Sequence, residues 1–136
     1  MPPPEYFADS WYFIAVANRF DAHHAAARRL EAAVDRSRIV THDGVLSEVL
    51  TYFSGAGAFS RQQAAAMARD ALRNFRVLPA GRQLFLAALS RYAERVDKEY
   101  SLVDCMSMIV MEERGIRHVL TNDHHFTQAG FIIVNQ

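Results

Sequence analysis

Short apolar runs alternate along this chain with longer stretches whose apolar positions recur every three or four residues. Tyr6-Phe7-Ala8 is a brief β-type run ending at Asp9, and the apolar stretch 11–17 reads as a helix. Residues 21–35 predict a second helix, with Asp21 as its N-cap and several alanines favouring the helical state. A second strand follows over 38–41. After Asp43-Gly44, Val45, Leu46, Val49, Leu50 and Phe53 fall at helical spacing until Ser54-Gly55, and Glu48 lies inside that helix. Ser60 is the expected cap of a helix to about residue 74, Arg76-Val77-Leu78 is a third strand, and 82–96 is a further helix. Ser101-Leu102-Val103-Asp104 opens a helix through Glu113 with Gly115 as its stop. A fourth strand over 118–121, a short helix over 123–128 closed by Gly130, and a fifth strand over 131–134 complete the chain.

This β-α alternation, with short strands apolar on both faces, predicts an α/β fold: about five parallel strands sandwiched between α-helices in a single domain, residues 1–136. A chain of 136 residues supports one substantial core and is short for two. Fifteen basic residues offset fifteen acidic ones, so charge alone advertises no partner. No apolar run approaches the roughly 20 residues of a membrane helix, so no membrane association is expected. The start MPPPEYFAD lacks a basic region followed by an apolar stretch, which argues against a secretory signal. The single cysteine, Cys105, excludes an internal disulfide and suits a reducing cytoplasm.

In open parallel sheets, ligands gather beyond the carboxyl ends of the strands. Asp9 and Asp123 follow strands directly, Asp104 lies in the first turn of its helix, and Glu48 lies one turn into the helix after strand two, so all four can face one edge. Four acids gathered without Lys or Arg repel one another unless a cation binds them, and hard oxygen donors suit Mg²⁺ or Mn²⁺. Each acid also has a purely structural role open to it. Asp9 and Asp123 can cap the helices that follow, Asp104 with Ser101 resembles a capping box, and Glu48 can occupy a solvent-facing slot.

Taken together, Asp9-Ser10, Asp21-x-x-His24-x-x-Ala27, Glu48, Ser101-Leu102-Val103-Asp104-Cys105, and Thr121-Asn122-Asp123-x-x-Phe126 with Gly130-Phe131 resemble the PIN domain. The resemblance covers almost the whole chain and is most specific from Ser101 to Val134. It implies a metal-dependent nuclease site of Asp9, Glu48, Asp104 and Asp123, holding Mg²⁺ or Mn²⁺ and hydrolysing RNA to 5′-phosphate and 3′-hydroxyl ends. It also implies that Ser10, Ser101, Thr121 and Asn122 orient the acids or touch phosphate. Compact PIN domains of this size resemble VapC toxins of type II toxin–antitoxin pairs, which implies an RNA substrate, a cognate antitoxin protein and a homodimer. Some relatives carry a further acid two places after the last aspartate, where this chain has His125.

Other chemistries fit less well. The adjacent pairs His23-His24 and His124-His125 lack the i, i+4 spacing of a zinc helix. A phospho-accepting receiver domain wants an acid pair after strand one and a lysine after strand five. Here strand one ends in Asp9 alone, and the one lysine, Lys98, is far from strand five. A PIN-like module that binds RNA or protein without cutting remains the alternative reading. Fourteen of the fifteen basic residues are Arg, which suits bidentate phosphate contact and equally reflects a GC-rich codon bias.

Overall fold

A computed structural model of the chain describes residues 2–136, so the expected domain boundary at Met1 lies outside the described residues. Five strands form one sheet: β1 (Tyr6–Ala8), β2 (Ile39–His42), β3 (Arg76–Leu78), β4 (His118–Leu120) and β5 (Ile132–Val134). Their order is β3-β2-β1-β4-β5 and every neighbouring pair is parallel, as the β-α alternation requires. The helices are α1 (Ser10–Ala17), α2 (His24–Ala33), α3 (Asp43–Tyr52), α4 (Ala58–Asn74), α5 (Arg82–Glu94), α6 (Leu102–Arg114) and α7 (His125–Gln128).

The chain builds outward from β1 to β2 and β3 on one side, then crosses back to add β4 and β5 on the other. The switch point therefore lies between β1 and β4, where an open parallel sheet leaves a crevice beyond its carboxyl ends. Ala8 pairs with Leu120, and the Asp9 amide donates to the Leu120 carbonyl at 3.3 Å, so Asp9 and Thr121 emerge side by side. Phe7, Val40, Val119 and Leu120 of the central strands pack with Phe13 of α1, Val45 and Val49 of α3, and Met108 and Met111 of α6. Burial on both faces holds for β1, β2 and β4, whereas the edge strands expose Arg76 and Ile132. Among the described residues no helix is long and apolar enough to cross a membrane.

Element ends differ from the sequence reading where backbone geometry outweighs side-chain preference. Helix α2 begins at His24; Asp21 instead accepts from the His23 amide at 2.8 Å in the preceding turn. Helix α4 begins at Ala58, because Gly57 at φ 96° turns the chain in a conformation open to glycine, and Ser60 lies inside the helix. A 3-10 turn, Arg36–Arg38, moves the start of β2 to Ile39. Helix α6 ends as expected at Gly115, left-handed at φ 68°.

Candidate metal centre

The four predicted acids come from four different elements. Asp9 follows β1 at the N-cap position of α1, but its side chain makes no capping bond. It turns inward, 5% exposed, and accepts a 2.8 Å hydrogen bond from the Thr121 hydroxyl, as the β1–β4 register permits. Asp104 and Ser101 do form the capping box: the Asp104 amide donates to Ser101 Oγ at 3.0 Å, and the Ser101 amide donates to Asp104 Oδ2 at 3.1 Å. This fixes the Asp104 carboxylate at the mouth of α6. Asp123 accepts from the His125 amide at 2.9 Å, so it serves the local turn as well as facing the crevice. Glu48 is half-buried on α3.

The electrostatics record how near these groups are to one another. Burial pushes the Asp9 carboxyl up from 3.8 to about 6; the Thr121 hydrogen bond opposes this, and the charges of Asp104 and Asp123 reinforce it. Burial, then the charges of Asp9 and Asp104, push Glu48 up to about 7, with the Ser10 hydroxyl opposing. Asp104 is raised by burial and by Asp123, against its bonds to Ser101 and His125. Among the described residues no Lys or Arg forms an ion pair with any of the four. Among the described residues their basic neighbour is His125, whose Nδ1 lies 3.2 Å from Asp104 Oδ2 and 3.3 Å from Asp123 Oδ1. Asp104, Asp123 and His125 bring ligand atoms within 4.8 Å of one another, a grouping able to hold a metal ion; Asp9 and Glu48 border it through the charge coupling above.

Among the supporting residues, Thr121 contacts Asp9, Ser101 contacts Asp104, and Ser10 lies beside Glu48. Asn122 Oδ1 accepts from Asn135 at 2.8 Å and is held by the C-terminal segment instead of an acid. Two histidines contribute more than their sequence context indicated. His125 bridges two of the carboxylates. His42, fully buried at the end of β2, accepts from the Gly44 amide through Nδ1 at 3.1 Å and so caps α3, while its Nε2 lies 2.9 Å from Ser107 Oγ on α6. One imidazole thus ties together the helices that carry Glu48 and Asp104. Burial pushes it down to about 4, so it is neutral near pH 7 and its Nδ1 is free to accept.

The PIN domain profile matches residues 6–132. The chain belongs to the PIN-domain family. Within it, the chain is 32% identical over 130 residues to the 23S rRNA-specific endonuclease VapC20 of Mycobacterium tuberculosis, covering 94% of this PIN domain and 96% of that protein. The crystal structure of that sarcin-ricin loop cleaving toxin superposes with a TM-score of 0.87, covering 97% of this chain and all of the other at 30% identity. The fold extends to FitAcB of Neisseria gonorrhoeae (TM-score 0.73, 13% identity, 96% of each chain). It extends also to DNA-bound VapBC of Salmonella typhimurium (TM-score 0.67, 18% identity, 97% of this chain and 98% of that one). The PIN domain described here is thus VapC-like in sequence and in fold.

Proposed function

We propose that this PIN domain, residues 1–136, is a Mg²⁺- or Mn²⁺-dependent endoribonuclease of the VapC toxin type, acting in the cytoplasm and held inactive by a cognate antitoxin protein. The observation that carries the reading is the grouping of Asp104, Asp123 and His125 with Asp9 and Glu48 beside it, where burial and neighbouring acids raise Asp9, Glu48 and Asp104 and, among the described residues, no Lys or Arg pairs with any of the four acids. The oxygen donors of the four acids suit a hard divalent cation that keeps part of its water shell. Asp9, Asp104 and Asp123 would hold the ion, with Glu48 holding it or its water.

When bound, such an ion neutralises the scissile phosphate and makes a hydroxide available near neutral pH. The chain's own residues supply orientation. Thr121 fixes Asp9 by donating to Oδ2, and the Ser101 capping box fixes Asp104. The His42 cap sets α3 against α6 and with it the spacing of Glu48 from Asp104. His125 spans Asp104 and Asp123, its Nδ1 within reach of both carboxylates, where it helps to orient them or offers an imidazole ligand. Similarity to an endonuclease named for 23S rRNA supports RNA as the substrate class. Similarity in fold to VapBC supports the antitoxin proposal.

The test is cleavage of a mixed pool of ribosomal, transfer and short single-stranded RNA by the purified chain, with Mg²⁺ or Mn²⁺ against EDTA. Metal-dependent cutting is expected. Metal binding without any cutting would instead favour a non-catalytic RNA- or protein-binding module. The toxin assignment is tested separately: expression of this chain alone is expected to arrest growth, and unimpeded growth would remove that assignment while leaving the nuclease one standing.

A further inference from the structure

His125 enters the acid cluster with one ring nitrogen foremost. Its amide donates to Asp123 Oδ1 at 2.9 Å, which seats the residue at the start of α7. The buried Tyr100 ring meets the imidazole edge-on, at 5.6 Å between centroids, and holds its plane. Backbone and packing together aim Nδ1 at the carboxylates, 3.2 Å from Asp104 Oδ2 and 3.3 Å from Asp123 Oδ1. That Asp104 oxygen also accepts from the Ser101 amide at 3.1 Å, so the group facing His125 is itself fixed.

Two roles are open to a nitrogen so placed: a hydrogen bond that steadies the acids, or direct ligation of the ion they hold. The distances favour the second. A charge-assisted N–H···O bond closes to about 2.7–2.9 Å, and neither contact is that short. Donors about 2.1 Å from a shared ion stand about 3.0 Å apart at right angles and about 3.4 Å apart in a tetrahedron, and both contacts fall between those edges. The nitrogen and one oxygen from each aspartate all lie within 4.8 Å of one another, so a single ion can reach all three.

The donor type decides which ion gains. Mg²⁺ takes oxygen ligands and gives up its waters reluctantly, so an imidazole adds little to its binding. Transition ions accept imidazole more readily, and Mn²⁺ is the one that also keeps the carboxylate preference of this cluster.

Resting on the metal-dependent reading above, we propose that His125 Nδ1 is a direct ligand of the ion, completing a mixed nitrogen–oxygen set with Asp104 and Asp123, and that this ligand makes the centre selective for Mn²⁺ over Mg²⁺. A histidine that only oriented the acids would leave the two ions on an equal footing, since the same carboxylates hold both.

The experiment uses the full chain without RNA and the metals alone as probes. Mn²⁺ bound to the wild type is expected to show a nitrogen coupling in pulsed electron paramagnetic resonance, and labelling the protein with ¹⁵N-histidine is expected to change it to the ¹⁵N pattern. Six histidines carry the label, so His125→Asn assigns the signal: the coupling should vanish. That variant keeps the backbone amide that bonds Asp123 and a side-chain amide near the position of Nδ1. By calorimetry it should weaken Mn²⁺ about ten-fold and Mg²⁺ less than about two-fold. His125→Asp should reverse the preference by tightening Mg²⁺. Absence of a nitrogen coupling in the Mn²⁺-loaded wild type would overturn the proposal, as would a coupling that survives in His125→Asn, an equal loss for both ions, or no Mn²⁺ binding at all. RNA cleavage by the same preparations separates this from the nuclease reading: a coupling without cutting sinks the nuclease and keeps the ligand, whereas Mn²⁺-dependent cutting without a coupling sinks the ligand alone.

Discussion

At Asp9 two demands meet: the side chain is removed from water, and it must still carry charge beside other acids. A carboxyl raised in the folded state stabilises the fold only while protonated, so its contribution is full below the unfolded value of 3.8 and lost as pH rises through about 6. In EDTA, Asp9→Asn should therefore melt above the wild type near pH 7.5, and the gain should shrink as pH falls towards 4; thermal melts across that range check it. Millimolar Mg²⁺ or Mn²⁺ should raise the wild-type melting temperature and raise that of Asp9→Asn less, because the ion binds the folded state alone. Thr121→Val removes the hydroxyl that holds Asp9 while keeping the shape, and should lower metal affinity or cleavage about 10- to 100-fold, measured by Mn²⁺ titration.

Among the elements, α3 shows how a buried histidine sets a helix that bears a site residue. A Cβ added at Gly44 would stand 2.9 Å from Cε1 and Nδ1 of His42, whose ring is walled in by Phe7 and Ser107. Helix propensity alone favours Gly44→Ala by about 1 kcal/mol. The structure predicts the reverse sign, a lower denaturation midpoint, because the cap must be pushed aside. His42→Ala should be more costly, roughly 2–4 kcal/mol, from a cavity and two unpaired polar groups, and His42→Asn should recover part of it as a competent cap. This arrangement is where sequence reading fell short. Thr41-His42-Asp43 contains no periodicity that distinguishes a capping imidazole from a surface one, since its second partner, Ser107, is 65 residues away. The Ser101–Asp104 box and the Gly115 stop were legible because both are written within a few consecutive residues. The starts of α2 and α4 were misplaced for a related reason: several nearby residues can end a turn, and the backbone chose Gly57 over Ser60.

Over the whole molecule, the sheet order was readable only as a class, parallel and helix-flanked. The expectation that the acids share an edge rested on that class alone: Asp9 and Asp123 come after strands, Asp104 lies in the first turn of α6, and Glu48 lies more than a turn into α3. The long-range pairings Thr121–Asp9 and His125–Asp104 depend on register and were not legible. One surface extends the account to assembly. Along α5, Phe85, Leu86, Leu89 and Tyr92 are exposed at helical spacing, an apolar stripe on which we place the homodimer contact that the family resemblance implies. Light scattering should give twice the 15.4 kDa chain mass, and Leu89→Glu should halve it.

The central claim is that these four carboxylates form one metal-dependent hydrolytic site. It is tested most directly by RNA cleavage rates for the wild type and Asp104→Asn, prepared identically and assayed in Mn²⁺ and in EDTA. Asp104→Asn keeps the side-chain volume and the Ser101 cap acceptor while removing the charge. The account predicts Mn²⁺-dependent cleavage by the wild type and a loss of at least about 100-fold in the folded variant. Equal rates for the two proteins, or wild-type cleavage that persists in EDTA, would contradict it.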